Sequence, residues 1–332
     1  MKQNSDKDYI FLSTRVKAME RHLLTKERIE QMLDAHTDED AAKVLTECGY
    51  SEMAEITDSE LDRVLREQQQ KMMADLGGSA PNKYIVDVFK LRYDYHNAKV
   101  LVKAEALGLE QDNLLMSGGR YDRQRLAEDY RREDLLSYSD RFRRGVARAR
   151  EILGSTGDPQ QADFILDRAY FEELSALAQA SGSKFLEDYA ALCIDVANLR
   201  SAVRASRLNK GSDFLNQVLV PGGTVSVRSL AGARGEELGV LFHTSRLAQA
   251  ADEGGAKSAP GSGALTDFER LCDDAVMDFL SDGRRIPFGP EPIAGYLYAR
   301  ENEATLIRII MSGRMAGLDR ATIRQRLRRT YA

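Results

Sequence analysis

Proline is nearly absent from the first half of this 332-residue sequence, where Pro81 alone interrupts the first 158 residues. Proline breaks the interior of a helix because it lacks an amide proton and clashes with the preceding turn. Long proline-free tracts rich in Ala, Leu, Glu, Lys and Arg therefore favour helices. Strand signals are few, since the weak alternation at 224–227 is too short to support a sheet. The sequence predicts an all-α fold.

The segment 82–107 shows the clearest helical spacing in the chain. Its apolar residues recur at alternating steps of four and three, which places them along one stripe of a helix. The stripe consists of Tyr84, Val88, Leu91, Tyr95, Ala98 and Val102. A helix with such a stripe packs along other helices, so we expect 82–107 to contribute to a helical core.

Two capping boxes predict where other helices begin. Thr57 and Glu60 precede a helix predicted at 58–75, and Thr266 and Glu269 open one predicted at 266–281. Glycine and proline punctuate a chain most strongly. The residues expected to end the first of these helices are Gly77, Gly78 and Pro81.

Composition excludes several classes of protein. The net charge of −5 argues against a general nucleic-acid binder, which needs a basic excess to displace counterions from phosphate. The first ten residues hold no apolar signal segment, and no apolar run approaches the ~20 residues of a membrane span. The three cysteines, Cys48, Cys193 and Cys272, are widely separated and form no CxxC pair. We expect them to be buried, reduced thiols of a cytoplasmic protein.

The helix 82–107 has a counterpart 101 residues later. The shift superposes Leu91 on Leu192, Asp94 on Asp195, Asn97 on Asn198 and Val102 on Val203. A further shift of 104 carries Asn198 to Asn302, where the aspartate is lost. The turn at 115–119 (LMSGG) also resembles the turn at 219–223 (LVPGG). The chain is therefore predicted to hold three related helical repeats, at 1–107, 108–208 and 209–332, with a mobile Gly-rich loop at 253–264 in the third.

The repeated polar pairs admit two interpretations. Asp94 and Asn97, like Asp195 and Asn198, lie three residues apart on one helix face. They could be solvated or locally hydrogen-bonded residues that position neighbouring helices. A catalytic or metal-binding role would instead require partners that the sequence does not reveal.

Motifs for chemistry are missing elsewhere as well. No two of the four histidines stand three or four apart, so the sequence holds no helical zinc pair. Residues 254–258 (GGAKS) superficially resemble a phosphate-binding loop, but Ala256 stands where such a loop needs the glycine before its lysine. We therefore expect no catalytic site, no cofactor and no metal.

The C-terminal segment carries the one notable cluster of charge. Helices are predicted at 291–313 and 319–331, and the second has a basic and an apolar face. The basic face consists of Arg320, Arg324 and Arg328, and the apolar face of Ile323 and Leu327. One interpretation is a helix docked through its apolar face, with a solvated basic face. The alternative is that the arginines form an interface with an acidic partner or with anionic lipid headgroups.

Three stretches carry a resemblance to a known family. They are 15–20 (RVKAME), 93–104 (YDYHNAKVLVKA) and 287–303 (PFGPEPIAGYLYARENE), the last followed by 308–313 (RIIMSG). On these stretches the chain resembles, over essentially its whole length, the central-stalk C subunits of prokaryotic V/A-type rotary ATPases. That family is similar to the d subunits of the eukaryotic enzymes. The Gly-rich segment at 253–264 departs from what the family leads us to expect.

The resemblance implies three pseudo-symmetric helical domains that form a funnel and catalyse nothing. It implies a rotor subunit that couples the axle subunits of the soluble ATPase sector to the membrane proteolipid ring. The chain would then lie at the cytoplasmic membrane through its complex, without a transmembrane segment of its own. The ring sets the choice between proton and sodium, so this chain does not encode it. The alternatives are a generic helical adaptor or scaffold and a helical enzyme with an unrecognised site.

Overall fold

A computed structural model describes residues 6–331 of the chain. Within these residues the chain forms α-helices and short 3₁₀ turns and no β-strand, so the predicted all-α fold is confirmed. The helices are α1 (Ile10–Met19), α2 (Lys26–Asp34), α3 (Asp38–Glu47), α4 (Asp58–Ser79), α5 (Lys83–Leu107), α6 (Arg123–Arg131), α7 (Asp140–Thr156), α8 (Pro159–Ser181), α9 (Lys184–Arg207), α10 (Ser212–Val218), α11 (Val227–Gly232), α12 (Glu237–Phe242), α13 (Ala248–Ala256), α14 (Thr266–Ser281), α15 (Pro290–Met315) and α16 (Arg320–Arg326). No helix among the described residues is long and apolar enough to cross a membrane.

The chain divides into two compact units. Unit 1 runs to Asn82 and returns with His243–Glu253 and with the residues from Gly263 onward. Unit 2 consists of Lys83–Phe242 and Gly254–Ser262. The three predicted repeats at 1–107, 108–208 and 209–332 stay a prediction.

Unit 2 is built around α8, which packs against α5, α7 and α9. Helices α5 and α8 run antiparallel, because Lys99 pairs with Asp167 at 2.6 Å and Lys103 with Asp163 at 2.7 Å. The stripe predicted on α5 is buried except for half-buried Tyr84. The other faces of α5 are largely buried too, so this helix lies inside its bundle and not along one side of it.

Unit 1 is organised around α15, which packs against α1, α3, α4, α14 and α16. Buried apolar residues of α2, α3 and α4 form one core with four residues of α15: Leu306, Ile307, Ile310 and Met311. Ile323 of α16 is 1% exposed and joins the same core. The interpretation that this helix docks through Ile323 and Leu327 is confirmed for Ile323, whereas Leu327 lies just beyond the helix and is half-buried against the same core.

Glycine-based predictions of helix ends were wrong in α4. The helix continues through Gly77 and Gly78 to Ser79, because Leu76 is fully buried and its packing outweighs the weak helix propensity of glycine. Pro81 is the residue that ends it. A residue before proline is disfavoured in the helical region, and Ala80 has an extended ψ of 125°.

Only the first part of the segment 253–264 departs from the predicted loop, since residues 257–264 form no helix. Helix α13 includes residues 253–256, and Ser258 is buried and donates to the Gly255 carbonyl at 2.7 Å. A Cβ on Gly255 would lie 2.5 Å from the carbonyl oxygen of Gly235. Glycine serves here for close approach of two backbones, a use that composition does not distinguish from flexibility.

Two further predictions were wrong in detail. The helix at 266–281 has Leu265 at its N-cap, so the predicted box of Thr266 and Glu269 does not form. The last helix ends at Arg326, not at residue 331. Residues 327–331 are not helical, and Tyr331 is held by a hydrogen bond that Arg284 donates to its carbonyl at 2.6 Å.

Candidate functional site

The two repeated asparagines hold two turns in the same way. Asn97 Nδ2 donates to the Met116 carbonyl at 2.8 Å, and its Oδ1 accepts from the Met116 amide at 2.8 Å. Asn198 makes the same two bonds to Val220, at 2.7 and 2.8 Å. Both side chains are buried, so the interpretation of solvated residues was wrong and that of locally bonded residues is confirmed.

The two repeated aspartates bind the residues that follow in the same turns. Asp94 accepts from the Arg120 amide at 2.9 Å and the Tyr121 amide at 3.3 Å. Asp195 accepts from the Thr224 amide at 2.9 Å and the Val225 amide at 3.3 Å. Each carboxylate thus accepts hydrogen bonds from two successive backbone amides of its turn.

The glycines of these turns are required by the carboxylates. A Cβ added to Gly119 would overlap Asp94 Oδ1 and lie 3.3 Å from its Cγ. A Cβ added to Gly223 would overlap Asp195 Oδ1 and lie 2.9 Å from its Cγ. The second glycine of each turn therefore has a steric origin, because the backbone must approach a buried carboxylate closely. The first glycine, Gly118 or Gly222, has a positive φ of 96° or 111°, which favours glycine for its backbone conformation.

Unit 2 adds an ion-pair network to the first of these turns. Arg120 Nε donates to Asp94 Oδ2 at 2.7 Å, and Arg120 Nη1 donates to Glu173 Oε1 at 2.9 Å. The Tyr95 hydroxyl donates to Glu173 Oε2 at 2.8 Å. Burial raises the pKa of Asp94 to about 6, and the Arg120 guanidinium opposes that rise. Asp94 is therefore ionised at neutral pH, in a largely dry environment.

Unit 1 holds a different buried pair beside the third asparagine. Glu303 accepts from Arg300 Nη1, from the Tyr50 hydroxyl at 2.6 Å and from the Leu24 amide at 2.5 Å. Asn302 makes a single exposed bond, from its Nδ2 to the Arg329 carbonyl at 2.9 Å. Sequence reasoning missed Arg120, Glu173 and Glu303, whose partners include residues far away in the chain. It also missed Arg300, although the carboxylate of Glu303 is only three residues away.

Replacing Asn198 with alanine should lower the free energy of unfolding by about 2 kcal/mol, because it leaves the buried amide and carbonyl of Val220 without partners. The measurement is urea denaturation followed by circular dichroism. Asn302→Ala is the matched control, and its loss should stay below about 1 kcal/mol since its one bond is exposed. Equal losses in the two variants would contradict this role of Asn198.

No group of three or more His, Cys, Asp and Glu residues among residues 6–331 is arranged to hold a metal ion. Among the described residues the three cysteines form no disulfide; Cys48 and Cys272 are buried, as expected, and Cys193 is half-buried. Burial raises the pKa of Cys48 to about 11, so this thiol stays protonated and is a poor nucleophile at neutral pH.

The C-terminal arginines each find an acidic partner within unit 1. Arg320 pairs with Asp34 at 2.6 Å, Arg324 with Glu30, and Arg328 with Asp273 at 2.8 Å. The first two pairs are about half exposed, and such pairs contribute little to stability. These ion pairs connect the C-terminal segment to other parts of unit 1. A role of the three arginines at an interface with another molecule stays a prediction.

Comparison with known proteins gives a consistent set of relatives. The model of the family described as "ATP synthase (C/AC39) subunit" matches residues 12–326. The C subunit of a V-type sodium ATPase from Enterococcus hirae is 24% identical, over 98% of this chain and 99% of its own length. The C subunit of a V-type ATP synthase from Thermus thermophilus is 24% identical, over 96% and 98%. The C subunit of an A-type ATP synthase from Haloferax volcanii is 26% identical over 69% of each chain.

Proposed function

We propose a function for this chain from one premise: it belongs to the ATP synthase (C/AC39) subunit family, whose model matches residues 12–326. We infer that the chain is a non-catalytic central-stalk subunit of a V/A-type ATPase or ATP synthase. In this role it couples the rotating axle subunits to the membrane proteolipid ring, for transport of protons or sodium ions. It is held at the cytoplasmic face of the membrane through the complex.

The full-length family match is the observation that carries this proposal. The C subunits of two V-type enzymes align with this chain over nearly their whole length. The similarity therefore covers the complete C subunits and not one part of them. The buried polar groups of the candidate site agree with a mechanical role. Asp94, Asn97, Asp195 and Asn198 all bind turns of the same chain, which leaves these groups committed to structure.

A coupling subunit must transmit torque without deforming, and the bonding supports this requirement. Protein interiors are close-packed and transmit strain. In unit 2, Asp94 and Asn97 bind the turn at 116–121 to α5. In the same way, Asp195 and Asn198 bind the turn at 220–225 to α9. Ordered turns of this kind transmit force more directly than mobile loops would.

We also propose that the three repeats predicted from the sequence are real. The long helices α5, α9 and α15 are each followed, within two residues, by a residue with left-handed backbone: Gly108, Asn209 and Gly317. In each case the next amide bonds a carbonyl five residues back, at 2.9 Å: Leu109 to Ala104, Lys210 to Ala205 and Leu318 to Gly313. This Schellman-type ending is common and also follows α3 and α6, at Gly49 and Glu133. The stronger support for a shared origin is the matching pair of bonds that Asn97 makes after α5 and Asn198 after α9.

Co-purification tests the proposed function. The tagged chain, expressed in its native cells and isolated from membranes, should bring the other subunits of a V/A-type ATPase with it. The chain purified alone should not turn over ATP. Robust ATP turnover by the pure chain, or recovery of the chain without any ATPase subunit, would contradict the proposal. Stable binding to unrelated soluble proteins in place of the ATPase would favour a generic adaptor.

A further inference from the structure

Helices α7 and α8 of unit 2 approach closely at one point. A Cβ on Gly145 would lie 2.8 Å from the Cβ of Ala169, so only glycine allows this packing. Beside the contact a groove of about 800 Å³ opens to solvent along the two helices. Gly145 and Ala169 form its floor, and the half-buried side chains of Phe164 and Ile165 line its α8 side.

Arginines outnumber acidic residues in the lining of this groove, which holds Arg141, Arg144, Arg148 and Arg168 together with Asp140 and Glu172. Helix α7 carries five arginines and two acidic residues, in a chain whose net charge is −5. Arg141, Arg144 and Arg148 stand at helical steps of three and four, which places all three along the groove. They span about 10 Å of the helix, or two turns.

These arginines are available to a partner. Arg141 has no acidic partner among the described residues. Within residues 6–331, Arg144 pairs only with Asp140 of its own helix, and Arg148 only with Glu151, also of α7. Their side chains are 79% and 58% exposed, and exposed ion pairs within one helix contribute little. The carboxylates of a partner can therefore replace Asp140 and Glu151 in these ion pairs with little loss of stability.

The far side of the groove is fixed and can form hydrogen bonds. Arg168 of α8 donates to the carbonyls of Gln217 and Leu219, both at 3.1 Å, and so holds the end of α10 in place. Asn216 and Gln217 line this side of the groove. The groove thus combines an apolar floor, amide side chains and a row of cations.

We propose that this groove binds an acidic helical segment of another subunit of the same complex, an inference that rests on the proposed function. Carboxylates spaced three and four apart on a partner helix match the spacing of Arg141, Arg144 and Arg148, and the planar guanidinium group suits a carboxylate. The apolar floor would take the uncharged side of that helix. A row of cations about 10 Å long exceeds the reach of a single phosphate.

The test uses the full chain within its native ATPase complex. Arg144→Glu with Arg148→Glu should weaken retention of the chain about tenfold or more, and the wild-type interaction should weaken as salt is raised. Arg125→Glu with Arg131→Glu is the matched control. These arginines of α6 are also exposed and also pair with acidic residues, and their reversal should leave retention unchanged.

A photo-crosslinking amino acid at position 144 identifies the occupant. The proposal expects a crosslink to an acidic segment of another subunit, and glutamate-to-arginine changes in that segment should restore retention of the double variant. Crosslinking to lipid, crosslinking to a segment without carboxylates, or a double variant that behaves like the control would overturn it. So would binding of the isolated chain to phosphatidylglycerol vesicles that the double variant abolishes. If the wild-type chain fails to co-purify with the ATPase, both proposals fail; if it co-purifies and only the groove results are negative, this inference alone fails.

Discussion

Replacing Arg120 with methionine should lower the free energy of unfolding by about 3–5 kcal/mol at pH 7.5. Methionine retains much of the apolar stem of arginine and removes the charge. The substitution leaves the carboxylates of Asp94 and Glu173 buried without their cation, at 0% and 4% exposure. Breaking a buried ion pair by removing one partner is strongly destabilising because an uncompensated charge remains in the interior.

The loss should be smaller at pH 5 than at pH 7.5. Burial raises the pKa of Asp94 to about 6 in the folded protein, above the ordinary 3.8, and Arg120 opposes the rise. A raised acidic pKa contributes stability that is fully present below about 3.8 and is lost as the pH rises through about 6. Without Arg120 the pKa of Asp94 rises further. At pH 5 the variant therefore buries a neutral carboxyl, and at pH 7.5 it must bury an anion or bind a proton.

Urea denaturation followed by circular dichroism at the two pH values measures both effects. Arg131→Met is the matched control, since Arg131 also pairs with a carboxylate in unit 2, that of Asp112, but is 41% exposed. Its loss should stay below about 1 kcal/mol and vary little with pH. A loss for Arg120→Met as small as the control's would show that the network does not stabilise unit 2.

Replacing Gly223 with alanine should destabilise the protein by about 3 kcal/mol. The added methyl group would overlap Asp195 Oδ1 and lie 3.3 Å from the Ile194 side chain. Asp195 is 2% exposed and cannot move toward solvent without leaving its bonds to Thr224 and Val225. Gly223 lies outside the left-handed region, so the expected loss is steric and not a matter of backbone strain.

Gly154→Ala is the matched control for this substitution. Gly154 lies in helix α7 with open space around its missing Cβ. Alanine there should stabilise the protein by about 0.5–1 kcal/mol, because it lowers the entropy that the backbone loses on folding. Thermal denaturation of the two variants should therefore shift Tm in opposite directions. A stabilising Gly223→Ala would show that the turn does not approach the carboxylate as closely as described.

The helices were readable from the sequence where their signals are local. The helix predicted at 82–107 forms as Lys83–Leu107, and Thr57 accepts from the Glu60 amide at 3.3 Å as an N-cap should. The remainder of the predicted capping box departs from its usual form. Glu60 accepts from the Ala54 amide at 3.0 Å, since its side chain can reach back to any free donor before the helix.

The sequence could not predict the contacts between residues that are far apart along the chain. Glu173 is one of 52 acidic residues, and nothing local marks it as the partner of Arg120, which is 53 positions away. The glycines at 77, 78 and 255 were also ambiguous. Glycine can end a helix, loosen a loop or admit a neighbouring backbone, and only the packing decides among these uses.

The way in which the two asparagines hold their turns has a consequence for how the sequence can change. Asn97 and Asn198 bond the backbone amide and carbonyl of one residue in the turn, not its side chain. That residue is Met116 in one turn and Val220 in the other. Mutation at position 116 or 220 therefore leaves the anchoring bonds intact, provided that the new residue still has an amide proton. Because these bonds use the backbone of the turn, the side chain at that position can change during evolution. Duplicated turns can therefore diverge in sequence and still keep the same conformation.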